Sequence, residues 1–155
     1  MLFRSHALEA LTGHALGQND RRALRRAVSL VSIYALLASL VFAVVFWWWG
    51  DVFIALQTNI SSVQNTAGQY LIYLTLLPLI TVWSYVLDGL FIGATRAREM
   101  RNSMLLAVAV CAPVAWLLHD LGNHGLWIAF LLFMALRAAF LGISARHVPT
   151  WFQTP

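Results

Sequence analysis

The sequence has no lysine, a single cysteine and few charges of either sign. All ten basic residues are arginine, set against six acids, for a formal net charge of +4 over 155 residues. Charged residues make up 10% of the chain and hydrophobic ones 61%, where an average soluble domain carries about 25% and roughly 45–50%. So little charge excludes a soluble globule, because a chain of this size cannot hide that much apolar surface from water. The lone Cys111 excludes an internal disulfide and argues against a cysteine-based metal site. Inside its apolar run it reads as a small buried hydrophobe. The basic balance is not a solvated nucleic-acid-binding face, since the arginines fall in short clusters between long apolar runs. Also missing are a glycine-rich phosphate loop, a GxSxG motif, a hydrolase triad and paired catalytic carboxylates. No catalytic residue is therefore assigned, and the chain is not read as an enzyme. Arg4, His6, Glu9 and His14 break up the start, so it has no signal-peptide core.

What remains is apolar sequence in long blocks. Four runs approach or exceed the length needed to cross a bilayer, about 20 residues. They are residues 27–49, 68–94 (interrupted by Asp88), the shorter 102–118, and 122–143, which contains Arg137. The runs are too long for strands and do not alternate. The expected fold class is therefore all-α: a polytopic bundle of four transmembrane helices in the lipid bilayer, plus a partial helix at the N-terminus.

The arginines orient it. Arg21, Arg22, Arg25 and Arg26 precede the first run, Arg96, Arg98 and Arg101 fill the turn between the second and third, and Arg146 follows the fourth. The other two connections hold Asp51 and Asp120 and no arginine. Because cytoplasmic loops retain positive charge, both termini are expected in the cytoplasm. The aromatics agree. Trp47 to Trp49, Tyr70, Tyr73, Trp116 and Trp127 all fall near outer ends, where amphipathic rings favour the headgroup level. In the long outer connection, Ser61 and Gln64 have capping-box spacing, which predicts a surface turn starting near Ser61.

Asp88 and Arg137 break the apolar rule. Ionisable groups inside spans are costly and face a bundle interior or a wet cavity. Asp88 lies about 12 Å of helix from Arg96, and Arg137 about 13–14 Å from Arg146. Two opposite charges are thus expected at similar depth, either paired or lining one inward-opening polar pocket. The alternative has Arg137 snorkelling to the interface and Asp88 neutral or bonded to backbone. Pro78 and Pro113 lie within spans as candidate hinges. Gly13 and Gly17, and Gly89 and Gly93, form two GxxxG pairs suited to close helix contact. His6 and Glu9 sketch a metal site that no second carboxylate–histidine pair completes, so no metal is expected. His119, Asp120 and His124 read as a solvated turn.

The stretch from His6 to Gly17 reads as a helix too short and too polar to span alone, as though only its inner end were present. Here the segment EALTGHALGQNDRRALRRAV resembles the end of the eighth helix and the turn into the ninth in multidrug and toxic compound extrusion (MATE) transporters. LDGLFIGATRAREMRNSM resembles the tenth helix and its following turn, especially in the DNA-damage-inducible F (DinF) branch. GNHGLWIAFLLFMALRA resembles the last helix.

The resemblance implies a twelve-helix fold of two lobes in a bacterial cytoplasmic (inner) membrane. It also implies antiport of small, often cationic, organic compounds against H⁺ or Na⁺, with no other cofactor. Residues 1–17 would be the end of helix eight, and the four runs helices nine to twelve. The N-terminal lobe would then be the missing partner, and the isolated segment would not transport. Asp88, on the tenth helix, and Glu9, at the end of the eighth, become cation-coupling candidates, with Arg137 as charge partner. A different class stays open beside this: a small four-helix membrane protein with an interaction or structural role.

Overall fold

A computed structural model describes residues 2–152, with side chains from Ala7 onward. Six α-helices follow one another: α1 (Leu2–Gly17), α2 (Arg21–Gln57), α3 (Ser61–Gly68), α4 (Leu71–Gly93), α5 (Ala97–Leu117) and α6 (Asn123–Ser144). A short 3-10 turn, His119–Leu121, joins α5 to α6, and a second, Ala145–Trp151, continues from α6. The described residues contain no strand, as the all-α reading requires. Among them α2, α4, α5 and the stretch from α6 to Trp151 are long and apolar enough to cross a membrane.

The first span differs most from its expected bounds. The helix begins at the arginines and continues past Gly50 to Gln57, about 55 Å of α-helix against a hydrocarbon core of about 30 Å. Gly50 does not break it. It lets α4 approach instead, since a Cβ there would fall 2.7 Å from the Leu71 side chain. The outer connection shrinks accordingly to a few extended residues and α3. The latter starts at Ser61, but without a capping box: the cap position is Ile60, with no side-chain hydrogen bond. Gln64 reaches back to donate to the Thr58 carbonyl at 2.8 Å, and the Thr58 hydroxyl accepts from the Ile60 amide.

The turns after α1 and α4 close in the same way. The Asp20 amide bonds the Ala15 carbonyl and the Asn19 amide that of Leu16; Arg96 to Phe91 and Thr95 to Ile92 repeat the pattern. This is the Schellman closure, whose pivot residue takes a left-handed conformation. Asn19 and Thr95, both at φ 56°, supply the pivots. Asp20 then caps α2, its carboxylate accepting from the amides of Arg22 and Ala23 at 2.8 and 2.9 Å. The Ala23 amide, joined by that of Arg22, holds the Asp20 carboxyl below the ordinary carboxylate value.

At the centre lies α4, packed against α1, α2 and α6, while α5 leans mainly on α6. Leu8 and Ala15 of α1, Leu24 of α2 and Val82, Val86 and Leu90 of α4 form one buried cluster, with Phe152 folded back against it. The α1–α4 contact depends on two glycines. Gly13 faces the Gly93 carbonyl, and a Cβ on Gly93 would collide with the Glu9 carbonyl and come within 2.7 Å of Thr12 Cβ. A Cβ on Gly17 would touch nothing nearby, so of the first sequence pair only Gly13 serves the crossing. Helices α4 and α5 run unbroken through Pro78 and Pro113 respectively.

Replacing Gly93 with alanine forces α1 away from α4. It is expected to destabilise the chain by about 1–3 kcal/mol in thermal or denaturant unfolding in detergent. The same change at Gly17 should leave stability essentially unaltered.

Candidate functional site

Asp88 and Arg137 meet. Chain direction makes this possible: α4 and α6 run the same way through the bundle, and each places its charge within about two turns of its C-terminal end. One guanidinium nitrogen of Arg137, Nη2, donates to both carboxylate oxygens of Asp88, at 2.8 and 2.7 Å. The Asp88 side chain is 12% exposed and that of Arg137 16%. Arg137 neither snorkels outward nor leaves Asp88 to the backbone.

The pair is incompletely satisfied. Arg137 Nε is buried and has no hydrogen-bond partner. Ser84, one helical turn before Asp88 on the same face, has its hydroxyl in the same condition. An unmet buried donor costs on the order of 1–3 kcal/mol.

A cavity of about 300 Å³ opens beside the pair, toward the N-terminal end of α4. Phe42 and Phe46 of α2, Pro78 and Tyr85 of α4, and Phe130 and Met134 of α6 line it. Tyr85 and Met134 each stand three residues before a member of the pair, so the charges lie about one turn beyond the cavity. Its walls are aromatic and flexible-apolar.

The remaining candidates are dispersed. Glu9 is half-buried where α1 crosses α4 at Gly93, away from any acidic cluster. The His6 side chain of the sketched His6–Glu9 pair lies outside the described residues. Among described residues no three histidine, cysteine or acidic side chains come together as a metal site. Gly89 is buried on α4 beside Asp88.

The expected solvated turn divides in two. His119 and Asp120 are exposed and 3.4 Å apart. His124 instead joins α4: its Nδ1 is 3.0 Å from the Tyr73 hydroxyl, and its ring lies 4.8 Å from that of Tyr70. Tyr73 also stacks on Trp127 at 5.9 Å. This outer clasp joins residues 51 positions apart, and no local spacing announces it.

Comparison with known proteins supplies the wider frame. A family model described as MatE matches residues 1–117. The DNA damage-inducible protein F of Escherichia coli (strain K12) is 43% identical over 151 residues, which cover 96% of this chain. The chain spans about a third of that relative's length, 33%. No solved structure matches it.

A double-mutant cycle tests the pair. Asp88→Asn or Arg137→Met alone leaves a buried charge without its partner and should cost about 3–5 kcal/mol in detergent unfolding. The double variant should cost less than either single change. Additive costs would mean that the two side chains do not interact.

Proposed function

The chain belongs to the MatE family, and from that premise we propose that it forms the second-lobe part of a secondary-active multidrug exporter. As a multi-pass membrane protein it would lie in a bacterial cytoplasmic membrane with both termini inside. Residues 1–17 would close the eighth helix of the transporter, and α2, α4, α5 and α6 would be its ninth to twelfth. The complementary first lobe would complete the transport path, and the segment alone would not export.

The observation that carries this reading is the buried Asp88–Arg137 pair beside an aromatic cavity. Inside a bilayer such a pair is retained where its making and breaking serve transport, because the charges are costly there. Antiport follows from competition for Asp88. An arriving H⁺ or Na⁺ neutralises the carboxylate and frees Arg137. A guanidinium without its counter-charge is expensive among apolar helices, so the lobe is driven to a conformation that gives it another environment. Small organic compounds, often cationic, would occupy the cavity lined by Phe42, Tyr85 and Met134 in the alternate state. Glu9, where α1 crosses α4, is the second coupling candidate.

Efflux driven by a pH or sodium jump, measured in vesicles with a full-length transporter that contains this segment, tests the proposal. Asp88→Asn should abolish gradient-driven export at unchanged expression, and Arg137→Met should uncouple it or slow it severely. Undiminished efflux by Asp88→Asn would remove Asp88 from the mechanism.

A further inference from the structure

Residues after α6 fold back beneath the bundle and bring two distant arginine turns together. Trp151 meets Phe91 of α4 edge-on, with ring centroids 5.3 Å apart. Arg96, in the α4–α5 turn, lies over the Trp151 ring at 5.2 Å. The next residue, Phe152, is buried to 7% exposure and carries Arg21, from the start of α2, over its own ring at 5.3 Å. Two consecutive aromatic residues thus seat two guanidiniums belonging to turns 75 positions apart.

A guanidinium held over an aromatic ring by its charge still has N–H donors free for another partner. With such donors arginine grips a phosphate through two parallel hydrogen bonds. Arg22, Arg98 and Arg146 are exposed at the same end of the bundle. The acids there are already engaged. Asp20 caps α2, and Glu99 accepts from Arg96 at 3.1 Å, leaving further donors on that guanidinium. The face is positive and lies at the arginine-bearing end of the apolar helices.

We infer that this face is a binding site for the headgroup of an anionic phospholipid, held by Arg21 and Arg96 on the Phe152–Trp151 platform. Positive charge facing phosphodiesters at the end of the spans carries the choice of partner, each arginine near such a surface adding on the order of 1 kcal/mol. A lysine could supply charge but neither the ring stack nor the planar fork, and the chain contains no lysine. The inference rests on the proposed topology only for which leaflet supplies the lipid.

Native mass spectrometry of the whole chain in detergent, titrated with dioleoylphosphatidylglycerol or dioleoylphosphatidylcholine, tests it independently of both transport and orientation. The phosphatidylglycerol adduct should dominate, and Arg21→Gln with Arg96→Gln should weaken it about tenfold or more. Arg21→Lys with Arg96→Lys, which keeps the charge and the fold, should weaken it by a smaller but measurable factor. Arg25→Gln with Arg26→Gln, which removes the same charge but leaves the aromatic platform occupied, should weaken it clearly less than the Arg21/Arg96 pair. Equal retention of the two lipids would overturn the site, as would equal loss in the Arg25/Arg26 variant or full retention in both Arg21/Arg96 variants. Competition by millimolar inorganic phosphate as effective as by lipid would assign the site to the free anion and overturn the lipid reading.

Discussion

A carboxylate and a guanidinium placed within apolar helices have few acceptable arrangements, and α4 and α6 adopt one of them. Neither Asp88 nor Arg137 can be turned toward lipid without a large desolvation cost, so each must face the other helix. That requirement fixes the rotation of both helices about their axes and their relative height, because the bonds from Nη2 to the two oxygens are 2.8 and 2.7 Å long. With α4 so placed, the face bearing Val82, Val86 and Leu90 is presented to α1 and α2. The bare backbone at Gly93 then receives α1. Packed against α1, α2 and α6 together, α4 is the most buried of the four spans.

Most other buried polar groups take no part in joining helices. The hydroxyls of Ser39, Thr75, Thr81 and Ser103 each donate to a carbonyl three or four residues back in their own helix. Such bonds satisfy the group in an apolar setting but hold no partner. In lipid there is also no general hydrophobic force to press helices together, so close backbone contact and a few directed bonds must do it. Gly13, Gly93 and Gly50 serve the first need, and Asp88 with Arg137 the second. The abundant exposed leucines, valines and tryptophans of α2, α5 and α6 fit this logic, which is the reverse of an aqueous core.

Much of this was readable in the sequence, for a physical reason. A bilayer imposes a length scale and a charge asymmetry, so apolar runs and arginine clusters delimit helices almost directly. The depth of Asp88 and Arg137 followed from a fixed rise of 1.5 Å per residue counted back from Arg96 and Arg146. Reading failed where one residue had two meanings. Gly50 and Asp51 looked like the end of a helix, but Gly50 marks a close approach of Leu71 within a helix that continues. It failed again where partners are remote. Nothing near Trp151 reveals that Phe91 and Arg96 will flank it, and nothing near His124 reveals Tyr73.

Those two remote contacts, added to the central pair, give α4 and the α6 segment a common pattern. At the outer end Tyr73 meets His124. Deep in the span Asp88 meets Arg137. At the inner end Phe91 meets Trp151, where the chain has continued past α6. The two helices are thus fastened at three heights, each by a different chemistry: a hydrogen bond near the start of α4, an ion pair along its length, and an edge-on ring contact with an arginine over one of the rings. The outer and inner fastenings lie where water and headgroups can compensate their loss, whereas the middle one has only itself. Opening the middle contact need not separate the helices, because the two ends still hold them. Under the proposed exchange, a neutralised Asp88 would release Arg137 to reorient within a bundle that stays assembled, because the two end contacts do not depend on the ion pair.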